Sequence, residues 1–542
     1  MLALANVLSE SVALSFLMRS STRQVCVPIC ERNFEALAEA SARASVFADL
    51  IEFRLDCLDP MVLQNSLIRL SDLRKQINCP AIVTFRPQEQ GGRRQLDFDS
   101  RLRFWLSHAW PSSDFVDMEL DLIQRFFTLE NSKSVDWSRV ICSFHDFDCV
   151  PGQLDFIYEQ MRATPARVLK IAVWANDVTD CIPVFKLFSQ AREENRELIA
   201  IAMGTAGMAT RILGPSLGGF LTYGAAETDR ATAPGQITAR ELKETYRLEN
   251  IGPQTKVMGL LGLPVGHSIS PHMQNAAFTS AEVDAVYIPF EVRDVASFIR
   301  RMVHPATREL NWNIHGLSVT APHKSKVMEY LDSIEASGRE IGAINTILLK
   351  DKKLHGYNTD CHGFVKPLLE VFGQLRGARC AIIGAGGAAS AALWALQRER
   401  ANATIFARDY NRACRVAQRF GADCHDLSAA RFAGFDVVIN ATPLGTAGSL
   451  HDQTPVNREQ MSGARMAYDL VYNPIVTRFL REAREAGCIT LGGLPMLVAQ
   501  AVEQFRLWTG RDPDERTMRQ AALRQLEKSA DVVSGSAGVE SV

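Results

Sequence analysis

From residue 24 to about 240, short β-rich apolar runs alternate with longer amphipathic ones. The runs are QVCVPIC, ADLIEF, PAIVTF, DFVDMEL, RVICSFH, RVLKIAV, LIAIAM and GGFLTYG, with helical text such as FEALAEASARA and FDSRLRFWLSHAW between them. Strand alternating with helix at this spacing predicts βα units and a parallel sheet. Eight such units in a little over 200 residues fit a closed (β/α)8 barrel over 24–245 better than an open sheet. The polar stretch YRLENIGPQTK (246–256) breaks the rhythm and reads as a linker. A new strand–loop–helix follows in KVMGLLGLPVGHSISPHMQNAAF, and further βα text runs to about 358. A Gly-rich unit at 379–396 and an apolar helix over about 495–509 complete the pattern. The second half is therefore expected to hold two α/β domains, 256–360 (completed by C-terminal helices at about 490–528) and 361–489.

Composition narrows the class without naming it. A hydrophobic fraction of 47% and a charged fraction of 22% belong to a globular chain and not to a disordered, collagen-like or coiled-coil one. With 59 Lys+Arg against 61 Asp+Glu, the net charge of −2 supplies no broad positive field, so neither nucleic acid nor an anionic membrane is an expected partner. The 12 cysteines are scattered, mostly in apolar stretches, with no CxxC array. They read as buried, reduced thiols, and no metal is expected. At the N-terminus the apolar run Val12–Met18 follows Glu10 with no basic residue before it, the wrong order for a secretory signal and too short for a membrane span. The expected location is the cytoplasm, with plastid import left open. The polar tail after Ser529 reads as disordered.

Polar residues at or just past the predicted strand ends form the candidate chemistry of the first half: Glu52, Arg54, Arg86, Glu119, His145, Lys170 and Arg211. The C-terminal rim of a parallel barrel is where catalysis is expected. Lys170 sits among apolar residues in RVLKIAV; burial disfavours its ammonium and favours the free amine needed for an imine. The competing reading is a lysine snorkelling at a strand end. His145, one unit earlier, is either a structural histidine or a proton shuttle. Together they suggest imine chemistry with proton removal beside a carbonyl. The ordered motifs IEFRLD, TFRPQEQGG, SFHDF, VLKIA, IAMGTAGMATR and ATAPGQI closely resemble the type I 3-dehydroquinate dehydratases over about 24–240. The resemblance implies a TIM barrel in which Lys170 forms a Schiff base with the ketone and His145 removes the adjacent proton. It implies that Glu52, Arg54, Arg86, Arg211, Thr232 and Gln236 hold 3-dehydroquinate. Where that family usually orients its histidine with a Glu before Gly-Gly, this chain has Gln90, with Glu89 beside it. Glutamine can hydrogen-bond but cannot stabilise an imidazolium by charge.

In the second half, CAIIGAGGAA places G-x-G-x-x-A at Gly384, Gly386 and Ala389, between a strand and a helix. Glycines there let backbone N–H groups approach a pyrophosphate at the helix N-terminus, the Rossmann dinucleotide arrangement. About twenty residues on, ATIFA ends at Arg408, a residue suited to the 2′-phosphate of NADP. Asp409 follows at once and keeps NAD in play. Lys324, Asp360, Ser268 and Ser270 could by themselves be surface or turn residues. In order, GLPVGHSISPHMQNAAF, LSVTAPHK, GAINTI, YNTDCHGF, GAGGAA, INATPLG, YDLVYNP and GGLPMLVAQA closely resemble shikimate dehydrogenase over about 256–510. The resemblance implies that Lys324 and Asp360 form the proton-transferring pair beside the reacting C–O. Ser268 and Ser270 would bind the substrate carboxylate, and Thr320, Asn345, Tyr472 and Gln500 the ring hydroxyls. Gly384, Ala385, Gly386, Gly387, Ala388, Ala389, Arg408, Arg412, Thr442 and Gly493 would line the NADP site. Ser318, Ala407 and Asp409 depart from the usual residues at their positions.

The expected protein is therefore a lyase and an oxidoreductase in one chain. One half would dehydrate 3-dehydroquinate to 3-dehydroshikimate, and the other would reduce that product to shikimate with NADPH. Two alternatives stand beside it: an NAD-preferring quinate/shikimate dehydrogenase half, motivated by Asp409, and a regulatory protein with an inactive barrel, motivated by Gln90.

Overall fold

The computed structural model describes residues 23–536 apart from 64–65, 108–112, 127, 129–134, 228–231, 234 and 429. The N-terminal apolar run and residues 537–542 lie outside the described residues. Three sheets organise the chain. The first holds β1 (Gln24–Ile29), β2 (Leu50–Arg54), β3 (Ala81–Thr84), β4 (Phe115–Glu119), β5 (Val140–Asp146), β6 (Val168–Trp174), β7 (Glu197–Met203) and β8 (Leu221–Tyr223). Each of the eight apolar runs is one of these strands. Their order is β7-β6-β5-β4-β3-β2-β1-β8, with parallel pairing throughout. Phe220 N donates to Leu198 O at 2.8 Å across the remaining gap, so the sheet is nearly closed into a barrel.

Side-chain parity sets what that barrel contains, because alternate residues of a strand face opposite ways. Leu50, Ile82, Ile141, Val168, Ile199 and Leu221 belong to one buried apolar cluster. Two residues further along the same strands stand Glu52, Thr84, Ser143, Lys170 and Tyr223, all buried. The interior is thus apolar at its floor and polar above, toward the C-terminal rim. Lys170 is the third residue of seven in β6 and not a strand-end residue. Parity and depth, and not a rim position, carry it into the barrel.

The second sheet comprises β9 (Lys256–Gly262), β10 (Ala285–Glu291), β11 (Ile314–Val319), β12 (Ser333–Ile334), β13 (Thr346–Lys350) and β14 (Lys353–Tyr357). It is mixed: β9 and β11 run parallel, while β11, β13 and β14 pair antiparallel. The third holds β15 (Arg379–Ile383), β16 (Asn402–Ala407), β17 (Asp423–Asp426), β18 (Val437–Asn440), β19 (Met466–Asp469) and β20 (Ile489–Leu491). It is parallel throughout, in the order β17-β16-β15-β18-β19-β20, the doubly wound dinucleotide-binding order. Helices α1 (Asp360–Phe372), α2 (Gly387–Arg398), α3 (Tyr410–Phe420), α4 (Leu494–Thr509) and α5 (Glu515–Ser536) accompany these sheets. By compactness the chain divides in two: up to Thr255 with 288–294 and 309–312, and the remainder.

Four expectations need correction. The stretch 246–256 is not a loose linker: Tyr246, Leu248 and Ile251 are buried around a short 3-10 turn, Leu248–Asn250. As far as Ser536 the tail after Ser529 is helical and not irregular, because α5 runs on to that residue. For the same reason the helix over 495–509 does not close the chain: α5 packs its Met518, Ala522 and Leu526 into the apolar cluster beside it. Nor are all cysteines reduced thiols. Cys30 and Cys57 are disulfide-bonded, as are Cys414 and Cys424. Each pair brings together residues just past or on neighbouring elements, a proximity that sequence spacing does not reveal.

Candidate active sites

In the barrel, a pocket of about 480 Å³ opens at the rim. Glu52, Arg54, Arg86, His145, Lys170, Arg211, Thr232 and Gln236, all named from sequence, line it together with Gln90 and Tyr223. Lys170 is 5% exposed. Its Nζ donates to Asp117 Oδ2 at 2.7 Å and to Tyr223 Oη at 3.0 Å. Asp117 Oδ1 meets Arg86 Nη2 at 2.7 Å. One carboxylate thus holds two buried basic side chains. Burial alone would oppose ionisation of Asp117, but Arg86 and Lys170 outweigh it and hold its acidity well above that of an ordinary carboxyl group.

Arg86 Nη1 also reaches His145, 2.8 Å from Nδ1 and in close contact with Nε2. Burial pushes the His145 pKa well down, and the positive charges of Arg86 and Lys170 push it further. The imidazole is therefore neutral and able to accept a proton. Gln90 Oε1 lies 3.4 Å from Nδ1, while Glu89 points to solvent. The amide, and not the neighbouring acid, faces the histidine. Glu52 accepts from Thr84 Oγ1 at 2.6 Å. Thr232 N donates to Gln236 Oε1 at 2.9 Å. Arg211 is 1% exposed and, among the described residues, donates only to Tyr223 O, at 3.3 Å, and burial lowers its pKa to about 10. A buried guanidinium with no carboxylate partner among the described residues suits an anionic ligand group.

Asp117 was not singled out from sequence. The available signal was the acid alternation in VDME, which puts Asp117 and Glu119 on the interior face of an otherwise apolar strand. Glu119, named as a rim residue, is fully buried; burial, with Asp117 adding to it, raises its pKa to about 7 against the pull of Arg86 and Arg101.

In the second half, Lys324 Nζ donates to Asp360 Oδ2 at 2.5 Å. Asp360 opens α1, where the helix dipole favours a carboxylate. Asn345 Nδ2 donates to Asp360 Oδ1 at 2.8 Å, to Thr359 Oγ1 at 3.0 Å and to Gln500 Oε1 at 3.4 Å. Lys324, Asp360, Asn345 and Gln500 thus form one network. Among the described residues, no side-chain hydrogen bond joins Ser268, Ser270, Thr320 or Tyr472 to it. Ser270 N donates to Ser268 Oγ at 3.2 Å, and Tyr472 packs against the apolar cluster that contains Leu494 and Val498. Sequence reasoning missed Thr359 and Gln504. Gln504 Nε2 donates to Asn345 O at 3.1 Å, and Ser318 Oγ donates to Gln504 Oε1 at 2.8 Å. Ser318 therefore acts at one remove. Two buried glutamines four residues apart on the apolar face of α4 were the available signal.

The dinucleotide motif occupies the turn from β15 to α2. Gly384 has φ +117° and lies against Ala441 O and Thr442 Cγ2, a conformation that favours glycine. Around Gly386 and Gly387 a Cβ would meet nothing within 4 Å, so open space lies over the helix N-terminus. Ala389 is fully buried, as close helix–sheet packing needs. Ala385 and Ala388 are half-buried beside it. Thr442 Oγ1 donates to Asn440 Oδ1 at 2.7 Å, and Gly493 abuts the carbonyls of Leu470 and Val471. Arg408 and Arg412 are exposed and have no ion-pair partner among the described residues. Asp409 is the N-cap of α3, accepting from Arg412 N at 3.0 Å. Strand, open helix N-terminus and two unpaired arginines together fit a phosphorylated dinucleotide.

Comparison with known proteins covers both halves. Residues 25–253 match Type I 3-dehydroquinase. Residues 260–347 match the Shikimate dehydrogenase substrate binding domain, 368–468 Shikimate / quinate 5-dehydrogenase, and 493–523 the Shikimate 5'-dehydrogenase C-terminal domain. The chain is similar to the chloroplastic bifunctional 3-dehydroquinate dehydratase/shikimate dehydrogenase of Arabidopsis thaliana, 32% identical over 507 residues, covering 90% of this chain and 82% of that protein. Its second half is similar to the shikimate dehydrogenase (NADP(+)) of Oleidesulfovibrio alaskensis, 42% identical over 264 residues, covering 47% of this chain and 91% of that protein. A solved shikimate dehydrogenase of Thermus thermophilus, in complex with NADP(H) and shikimate, aligns with a TM-score of 0.45 at 35% identity, covering 50% of this chain and 99% of that one.

Proposed function

The chain belongs to the family of bifunctional 3-dehydroquinate dehydratase/shikimate dehydrogenases, and from that premise we propose how its residues divide the two reactions. Residues 24–245 carry the lyase chemistry; 256–360, completed by about 490–528, hold the substrate of the reductase, and 361–489 its dinucleotide.

In the barrel, Arg211 takes the carboxylate of 3-dehydroquinate, while Glu52, Arg54, Arg86, Thr232 and Gln236 hold the ring and its hydroxyls. Asp117 holds Arg86 and Lys170 side by side, and with Arg211 these basic side chains favour entry of an anion. The Lys170 amine then adds to the ketone, and loss of water leaves an imine. Neutral His145 takes the proton from the adjacent carbon, and the ring hydroxyl departs as water. A further water hydrolyses the imine, releasing 3-dehydroshikimate and the free lysine. The observation that carries this reading is that Lys170, Arg86 and His145, joined through the buried Asp117, line one pocket.

In the second half, Ser268 and Ser270 take the carboxylate, and Thr320, Asn345, Tyr472 and Gln500 the hydroxyls. Bound NADPH supplies the hydride. Lys324, held by Asp360, gives the proton to the ketone oxygen. Gly384 to Ala389 cradle the pyrophosphate, Thr442 and Gly493 border it, and Arg408 with Arg412 meet the 2′-phosphate. Capping of α3 occupies Asp409, which favours NADP over the NAD alternative. No metal is required. Partners are the small molecules of the two reactions, and the location is the cytoplasm or, as the name of the Arabidopsis relative indicates for that protein, the plastid.

Borohydride reduction in the presence of 3-dehydroquinate tests the barrel: a mass adduct on Lys170 is expected, and its absence would support the inactive-barrel alternative. Steady-state kinetics with shikimate and quinate, each with NADP and NAD, test the other half. An NAD preference above about tenfold, equivalent to about 1.4 kcal/mol, would overturn the cofactor assignment.

A further inference from the structure

Asp56 belongs to neither set of residues assigned above, yet it is 1% exposed at the edge of the barrel pocket. It follows β2 in the short 3-10 turn Leu55–Cys57. Its carboxylate accepts from Arg54 Nε and Nη2, both at 2.9 Å, a two-pronged pairing that fixes the plane of the guanidinium. The same carboxylate accepts from Arg93 N at 3.0 Å and Arg86 N at 3.5 Å, and the Asp56 carbonyl accepts from Arg94 Nε at 3.0 Å. Arg54 Nη2 also donates to Gly91 O at 3.1 Å. One buried acid therefore ties the end of β2 to the end of β3 and to the turn that presents Gln90 to His145. Burial would penalise the Arg54 cation, and Asp56 offsets that penalty. Among the described residues, Nη1 of Arg54 makes no hydrogen bond, and Arg54 lines the pocket.

We propose that Asp56 is a positioning residue of the dehydratase, acting through Arg54, which it holds with its remaining edge turned to the substrate. The inference rests on the reading of Arg54 as a substrate-binding residue. A preoriented guanidinium loses little conformational freedom when the ligand arrives. In Asp56→Asn the shape remains, but the amide group sets a donor against Arg54 or Arg93 N and removes the charge that fixes the fork. Arg54 would then sample several rotamers, weakening substrate binding more than the chemistry on Lys170.

The test uses the full-length chain, with its own shikimate dehydrogenase rate as the internal control. Asp56→Asn, Arg54→Ala and the double variant are compared for dehydratase kcat and KM. Asp56→Asn is expected to raise KM for 3-dehydroquinate at least about tenfold, with kcat within about threefold. Asp56→Glu, which restores the charge, is expected to recover part of that loss. The double variant should be no worse than Arg54→Ala alone, since Asp56 acts through Arg54. An unchanged KM in Asp56→Asn, independent effects that multiply in the double variant, or a fall in kcat alone would each overturn the inference. Arg54→Ala with an unchanged KM would instead refute the substrate-binding reading of Arg54, and the inference with it. Should Asp56→Asn fail to fold, the same cycle run on Asp56→Glu, with its longer reach, decides by the same additivity criterion.

Discussion

Replacing Gln90 with glutamate puts a carboxylate oxygen where an amide oxygen now lies, 3.4 Å from His145 Nδ1. The native imidazole is held neutral because burial disfavours its charged form and Arg86 and Lys170 repel it. At 3.4 Å a unit charge would stabilise an imidazolium by about 5 kcal/mol at an effective dielectric of 20. That is an upper bound of about 3.5 pH units at 1.36 kcal/mol each. Position 90 is only half-buried, so solvent screens part of this, and the expected upward displacement is about 1–3 units. The new carboxylate can also engage Arg86, and drawing that charge away from the ring acts in the same direction. The pH dependence of kcat reads the enzyme–substrate complex, after the imine has formed. In the native chain, kcat should hold its plateau as pH falls through the ordinary histidine value of about 6.5 and decline only below it. In Gln90→Glu the acidic limb should move up, so that kcat at about pH 6 falls while the alkaline plateau is retained. Shikimate dehydrogenase activity in the same preparation should not change. A limb that stays in place, or moves toward acid, refutes the view that cationic neighbours hold His145 as a neutral base.

Three more predictions concern Asp409, Arg408 and the Cys30–Cys57 pair. Asp409→Ala should lower stability by about 0.5–2 kcal/mol through loss of the cap on α3, measured by denaturant unfolding, and should leave the preference for NADPH over NADH intact; Arg408→Ala should raise the KM for NADPH and leave that for NADH nearly unchanged. A large gain in NADH use on removing Asp409 would show that its carboxylate, and not the arginine pair, governs the choice. Replacing Cys30 and Cys57 with serine removes a crosslink between residues 27 apart, worth roughly 3.5 kcal/mol by the loop-entropy relation. Thermal loss of dehydratase activity should shift to lower temperature; an unshifted curve would mean that the crosslink does not stabilise the barrel.

By itself the sequence located the eight barrel strands and the dinucleotide turn and named two sets of candidate residues. These are local facts: apolar runs punctuated at regular spacing, glycines at a strand–helix turn, and short motifs in fixed order. Strand parity then suffices to bring Glu52, Arg54, His145 and Lys170 into one interior, while Arg211, Thr232 and Gln236 reach the same pocket from a helix and a connection. Tertiary structure alone decided how those residues are charged and held. Asp117 is 53 residues from Lys170 in sequence and 2.7 Å from it in space, so the pairing that sets the charge of the site has no local signature. The same holds for Asp56, which gathers Arg54, Arg86 and the 91–94 turn, and for Gln504, which supports Asn345 across 159 residues. On sequence alone Asp409 keeps NAD in play beside Arg408; in the folded chain its carboxylate caps the helix that follows. Hydrogen bonds and charges act over a few ångströms without regard to sequence separation. A linear pattern can therefore name the reacting groups, and only the folded chain shows which partner sets the protonation and aim of each.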